Sequence, residues 1–114
     1  MQFVFSLEAI FMAVINNSSS NTLISGTNCH DSIENESGND VTIKTGTGND
    51  TIINGLYCGE RVLIDGGADD DYIDNGYFKI VFSRNGSSKV TINGGTGNDL
   101  IYNGNKGICS SISG

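Results

Sequence analysis

The feature that most constrains this chain is a phrase that it states four times. Ile24–Asn35 reads ISGTNCHDSIEN, Ile43–Gly55 reads IKTGTGNDTIING, Ile64–Gly76 reads IDGGADDDYIDNG and Ile92–Gly104 reads INGGTGNDLIYNG. The shared frame is an aliphatic residue, a glycine-rich turn, an aspartate at the seventh position after the aliphatic, and then x-Ile-x-Asn. A frame repeated in this way points to supersecondary units stacked in one dimension, each burying its apolar side only against its neighbours.

The frame excludes helices, because glycine-rich turns interrupt every run and the apolar stretches are short and β-branched. Val41-Thr42-Ile43, Val62-Leu63-Ile64 and Val90-Thr91-Ile92 alternate apolar-x-apolar, the pattern of a short strand with two aliphatics on one face. A second short strand follows each aspartate and turns Ile33, Ile52, Ile73 or Ile101 inward. Two strands and two turns make one coil, and stacked coils pair each strand with its copies about 4.8 Å above and below. Asn35, Asn54, Asn75 and Asn103 would then overlie one another as an amide ladder.

The aligned aspartates are 19, 21 and 28 residues apart, and the added length falls in the turns opposite them. Phe78–Phe82 reads as an extra strand within the longest of these. The expected architecture is an all-β, right-handed parallel β-roll, or β-solenoid, of about four coils. Residues 21–105 form the roll. Residues 1–20 are an apolar N-terminal segment suited to covering the open end of the stack, and 106–114 form a tail.

Composition narrows the partners. Asp plus Glu number 13 against 6 Lys plus Arg, a formal charge of −7. Nucleic acid and anionic membranes need a basic surface, so both are poor partners, whereas cations are favoured. Four of the acids, Asp31, Asp50, Asp71 and Asp99, share one repeat position, so they are placed for a purpose and not scattered for solubility. The 3 cysteines, an odd number, make no disulfide framework. The opening MQFVFSLEAIFMAVI is short for a membrane span, and it lacks the basic start of a secretory signal.

The turns carry the chemistry. Ser25–Asp31, Lys44–Asp50, Asp65–Asp71 and Asn93–Asp99 place glycines at Gly46, Gly48, Gly66, Gly67, Gly94, Gly95 and Gly97. Glycine permits positive φ, which lets main-chain carbonyls point to a common centre. Carbonyls and carboxylates together are an all-oxygen donor set, suited to calcium, whereas zinc would take His or Cys. Aspartates stacked at about 5 Å repel by about 0.8 kcal/mol per pair in water and about 3 kcal/mol at an effective dielectric near 20. A divalent cation between coils reverses that sign and couples binding to folding.

These turns resemble the Gly-Gly-x-Gly-x-Asp-x-aliphatic-x calcium-binding repeats of RTX, or haemolysin-type, proteins. The likeness spans about Ile24 to Gly104 and is strongest over Gly94–Asp99. It implies a parallel β-roll that folds on binding calcium, in an extracellular, secreted or cell-surface protein of bacterial origin. It also implies parent-protein domains or further repeats beside this one, and a C-terminal in place of an N-terminal secretion signal. The ligand set it implies is Asp50, Asp71 and Asp99, with Asp31 and, as an auxiliary, Asp69. Family members carry such turns on both edges of the roll, and this chain has them on one. Cys29 and Asp69 stand where the pattern has glycine, and so does Thr45.

Two other readings differ in class. In the first, a metal-free solenoid, a spacer or adhesin segment, the turns serve shape alone. In the second, an enzyme, converging acids and bases are needed. The sole histidine, His30, adjoins Cys29, and adjacent residues of a strand face opposite ways, which argues against a Cys-His pair. No catalytic function is expected. The glycine turns are no phosphate loops, since no lysine follows them.

Overall fold

The structure, a computed structural model, describes residues 12–58, 61–77, 89–103 and 111–114. They form ten strands: β1 (Val14–Asn17), β2 (Thr22–Ser25), β3 (Ser32–Gly38), β4 (Val41–Lys44), β5 (Thr51–Cys58), β6 (Val62–Asp65), β7 (Tyr72–Tyr77), β8 (Val90–Asn93), β9 (Leu100–Asn103) and β10 (Ser111–Ser113). The odd-numbered strands make one five-stranded sheet in the order β1-β3-β5-β7-β9. The even-numbered strands make a second, β2-β4-β6-β8-β10. Every pairing is parallel. The chain is therefore an all-β solenoid of about four turns, a parallel β-roll.

The repeat frame sets the register. Ile33, Ile52, Ile73 and Ile101 pair in one row, and Ile24, Ile43, Ile64 and Ile92 in another. Period-two alternation sends these residues, with Val41, Val62 and Val90, between the two sheets. Ten of the aliphatics form the buried core, flanked by half-buried Ile15 and Ile101. Each such side chain stabilises the fold by about 1.5–3 kcal/mol when fully buried.

The asparagine ladder forms as the spacing predicts and runs one rung further. Each side-chain amide donates to the next carbonyl: Asn17 to Asn35 at 2.7 Å, Asn35 to Asn54 at 2.8 Å, Asn54 to Asn75 at 2.7 Å and Asn75 to Asn103 at 2.8 Å. The first rung comes from β1, where Val14-Ile15-Asn16-Asn17 repeats x-Ile-x-Asn and pairs in register with Ser32–Asn35. Ala13 stands there in place of an aspartate, so the copy lacks its most recognisable letter. Both expected flanking segments thus supply strands. Residues 1–20 contain β1, and 106–114 contain β10, which pairs with β8. The apolar residues before Met12, the expected strand Phe78–Phe82 and Cys109 lie outside the described residues.

Unequal coil lengths leave the aspartate edge undisturbed because the far edge takes up the difference. Register shifts occur just after Asn35 and Asn54, and the ladder resumes in phase beyond each far turn. There Asn21, Asp40, Arg61 and Lys89 each precede an even-numbered strand with φ between +54° and +63°. Asn and Asp tolerate that conformation, whereas Arg and Lys adopt it at a cost of about 1–2 kcal/mol. Arg61 spans two coils to Asp40 with both Nε and Nη2, the latter at 2.7 Å. The guanidinium holds the Asp40 carboxyl below its usual range.

Candidate metal centre along the aspartate edge

Each turn on this edge has seven positions, and equivalent positions stack. The third holds Thr27, Gly46, Gly67 and Gly95, and the main chain here passes directly over its copy below. A Cβ on Gly67 would overlap the Gly46 carbonyl, and one on Gly95 would overlap the Gly67 carbonyl. Both glycines also have φ near +90°. The Ala68 amide donates to Gly46 O and the Thr96 amide to Gly67 O, each at 2.9 Å, so the turns are themselves a hydrogen-bonded ladder. Glycine at Gly46, Gly48, Gly67, Gly95 and Gly97 thus satisfies turn-on-turn stacking whatever else it does. At the fifth position Asp69 takes φ +78°, the glycine conformation, and its Oδ2 accepts the Gly48 amide of the coil below at 3.0 Å.

The seventh position holds the aspartates, which lie inside the roll. Asp31 is fully buried, Asp50 is 1% exposed, Asp71 is 2% exposed and Asp99 is half-buried. One oxygen of each joins coil to coil. The Ala13, Asp31, Asp50 and Asp71 amides donate to Oδ1 of Asp31, Asp50, Asp71 and Asp99 respectively, at 2.7–3.0 Å. Such a charge-assisted bond to an otherwise orphan amide stabilises the stack by about 1.5–3 kcal/mol.

The second oxygens diverge. Asp31 Oδ2 accepts the Thr27 amide, and the Thr27 hydroxyl donates to Asp31 Oδ1 at 2.8 Å. Oδ2 of Asp50, Asp71 and Asp99 is buried with no hydrogen-bond partner. Three successive coils therefore each bury an unsatisfied carboxylate oxygen in one line. A buried charge without a partner costs several kcal/mol, or its group takes up a proton. Burial, followed by the neighbouring charges of Asp50, Asp99 and Asp69, drives the Asp71 carboxyl up to about 7, against the pull of its bond with Asp50. Burial likewise raises Asp50, with Thr45 and the Asp31 amide opposing it.

The second turn position faces these oxygens and holds Gly26, Thr45, Gly66 and Gly94. A Cβ on Gly66 would stand 2.5 Å from Asp71 Oδ2 and 2.8 Å from the Gly94 carbonyl of the next coil, so two oxygens converge on that bare face. Thr45 fills the equivalent space with its side chain. It is fully buried, and its hydroxyl donates to Gly66 O at 2.6 Å.

The donors suit a hard cation: unpaired carboxylate oxygens, a main-chain carbonyl and no nitrogen or sulfur. Among the described residues no three His, Cys, Asp or Glu side chains gather as a ready-made ligand group, so carbonyl oxygens would complete any coordination shell. The Cys29 thiol, in no disulfide, donates to Asn28 Oδ1 at 3.4 Å, and His30 beside it is exposed. No helix among the described residues is long and apolar enough to cross a membrane.

Sequence reasoning found the aspartates, the glycines and their common edge. It missed the use of Oδ1 as a coil-to-coil acceptor and the satisfaction of Asp31 by Thr27. The one available signal was threonine at Thr27 where the other copies have glycine. Compared with models of protein families, with curated proteins and with solved structures, the chain gives no match.

Proposed function

We propose that the aspartate edge binds calcium and that binding is coupled to folding by stabilising the folded roll, as a non-catalytic module of an extracellular protein. The observation that carries this reading is the line of three buried, unpartnered oxygens, Asp50 Oδ2, Asp71 Oδ2 and Asp99 Oδ2. A cation beside such an oxygen offsets its desolvation, and its positive charge also relieves the repulsion along the line. Gly46, Gly48, Gly66, Gly67, Gly94, Gly95 and Gly97 shape the backbone that supplies carbonyls, and the exposed Asp69 is an auxiliary donor. The resemblance to RTX repeats supports the same ion, and millimolar extracellular calcium would suffice for weak sites of this kind.

A specific observation favours a second reading, a metal-free structural solenoid. The third- and fifth-position glycines and every Oδ1 are already accounted for by stacking, and protonation of Asp71 near pH 7 would neutralise one orphan without metal. Far-UV circular dichroism at pH 8, with calcium titrated to about 10 mM against a magnesium control, separates the two. A coil-to-β transition, or a rise in melting temperature, with calcium alone is expected. A β spectrum and melting temperature indifferent to calcium would leave the structural solenoid.

A further inference from the structure

The four turns are not equivalent, and the differences lie in which oxygens remain open. In the first, Thr27 closes both oxygens of Asp31 from within the turn. In the second, Thr45 occupies the space beside Asp50, and its hydroxyl takes the Gly66 carbonyl, which is the carbonyl that the next coil offers there. In the fourth, Asp99 is only half-buried, and the following coil is represented by Gly114, where a Cβ would stand 4.0 Å from Asp99 Oδ2. The third combines a bare glycine face, an orphan oxygen on a buried carboxylate and a next-coil carbonyl, in Gly66, Asp71 Oδ2 and Gly94 O, whereas at the equally bare Gly26 the Asp31 oxygen is already bonded to Thr27.

We infer that the edge offers one principal cation position, between Asp71 Oδ2 and the Gly94 carbonyl, and that Thr45 is the residue that closes the neighbouring gap at Asp50. This rests on the calcium reading above and sharpens it, from a row of similar sites to one site with a plugged neighbour. The plug acts in two ways: its Cβ and methyl fill the space, and its hydroxyl satisfies the carbonyl that would otherwise be a ligand. The first aspartate turn is then closed by Thr27 and the second turn's carbonyl by Thr45, and calcium is needed chiefly where the third coil meets the fourth.

The test is calorimetric titration of the full chain with calcium chloride at pH 8, with far-UV circular dichroism confirming that each variant is folded. Wild type is expected to take up one calcium per chain, Thr45→Gly two, Thr45→Ala one because its Cβ remains in the gap, and Asp71→Asn none. Two or more calcium ions on wild type, with no gain in Thr45→Gly, would overturn the inference and leave the calcium reading standing. Undiminished uptake by Asp71→Asn would overturn it as well, and does so independently of whether Thr45→Gly folds. No uptake by wild type or any variant would overturn the calcium reading itself.

Discussion

Replacing Asp71 by asparagine isolates the electrostatic problem at the centre of the edge. Asparagine keeps the Oδ1 acceptor that takes the Asp50 amide at 2.9 Å and removes the charge from the buried, unpartnered oxygen. The Asp71 carboxyl moves from 3.8 to about 7 on folding, with burial the first cause. Its folded pKa is raised, so below about pH 4 both states are protonated and there is no penalty. Between about pH 4 and 7 the unfolded chain ionises while the folded one keeps its proton, and stability falls with pH. Above about 7 the loss levels off. At about 1.4 kcal/mol for each pH unit, it amounts to about 4 kcal/mol. Part of this is already lost at pH 5, so without metal wild type should be less stable at pH 8 than at pH 5 by about 2–3 kcal/mol, and Asp71→Asn should lose most of that dependence. At pH 8 the variant should be the more stable of the two. Urea denaturation followed by circular dichroism in calcium-depleted buffer reads all three. Wild type equally stable at both pH values, or a variant weaker than wild type at pH 8, would refute the reasoning.

Other consequences follow from the stacking. Asn54→Ala removes the middle rung, taking away the acceptor that Asn54 offers the Asn35 amide and the donor that it offers the Asn75 carbonyl, both buried. A loss of about 2–5 kcal/mol is expected in denaturant titration. Gly67→Ala should prevent folding, since its Cβ overlaps the Gly46 carbonyl at φ +90°, whereas Gly55→Ala, with its nearest atom at 3.2 Å, should retain a β spectrum. Lys89→Asn places a tolerant residue at φ +63° and should raise stability by up to about 1 kcal/mol, measured as a shift in melting temperature.

The repeat made much of this architecture legible. Period-two alternation around Ile43, Ile64 and Ile92 identifies inward strands without any tertiary knowledge, because a residue on the wrong face would expose an aliphatic and bury a polar group. The same logic placed Asn35, Asn54, Asn75 and Asn103 above one another. The copy at Val14–Asn17 was hidden because its recognisable letter, the aspartate, is Ala13. The left-handed Arg61 and Lys89 were hidden because neither residue type favours that conformation.

The sequence by itself determined the period, the inward rows and the gathering of Asp31, Asp50, Asp71 and Asp99 on one edge, since a repeat stacked on itself carries every residue onto its own copy. Only the tertiary structure decided which of those carboxylates is satisfied. That depends on hydrogen-bond geometry over a few tenths of an ångström between coils. Thr27 reaches both oxygens of Asp31, the amide of one aspartate reaches Oδ1 of the next, and Thr45 reaches the Gly66 carbonyl, leaving Asp71 Oδ2 facing a bare glycine. A repeat specifies who stands above whom. Which lone pairs remain unfilled is settled by contacts between non-identical neighbours, and the substitutions at Thr27 and Thr45 acquire their meaning only there.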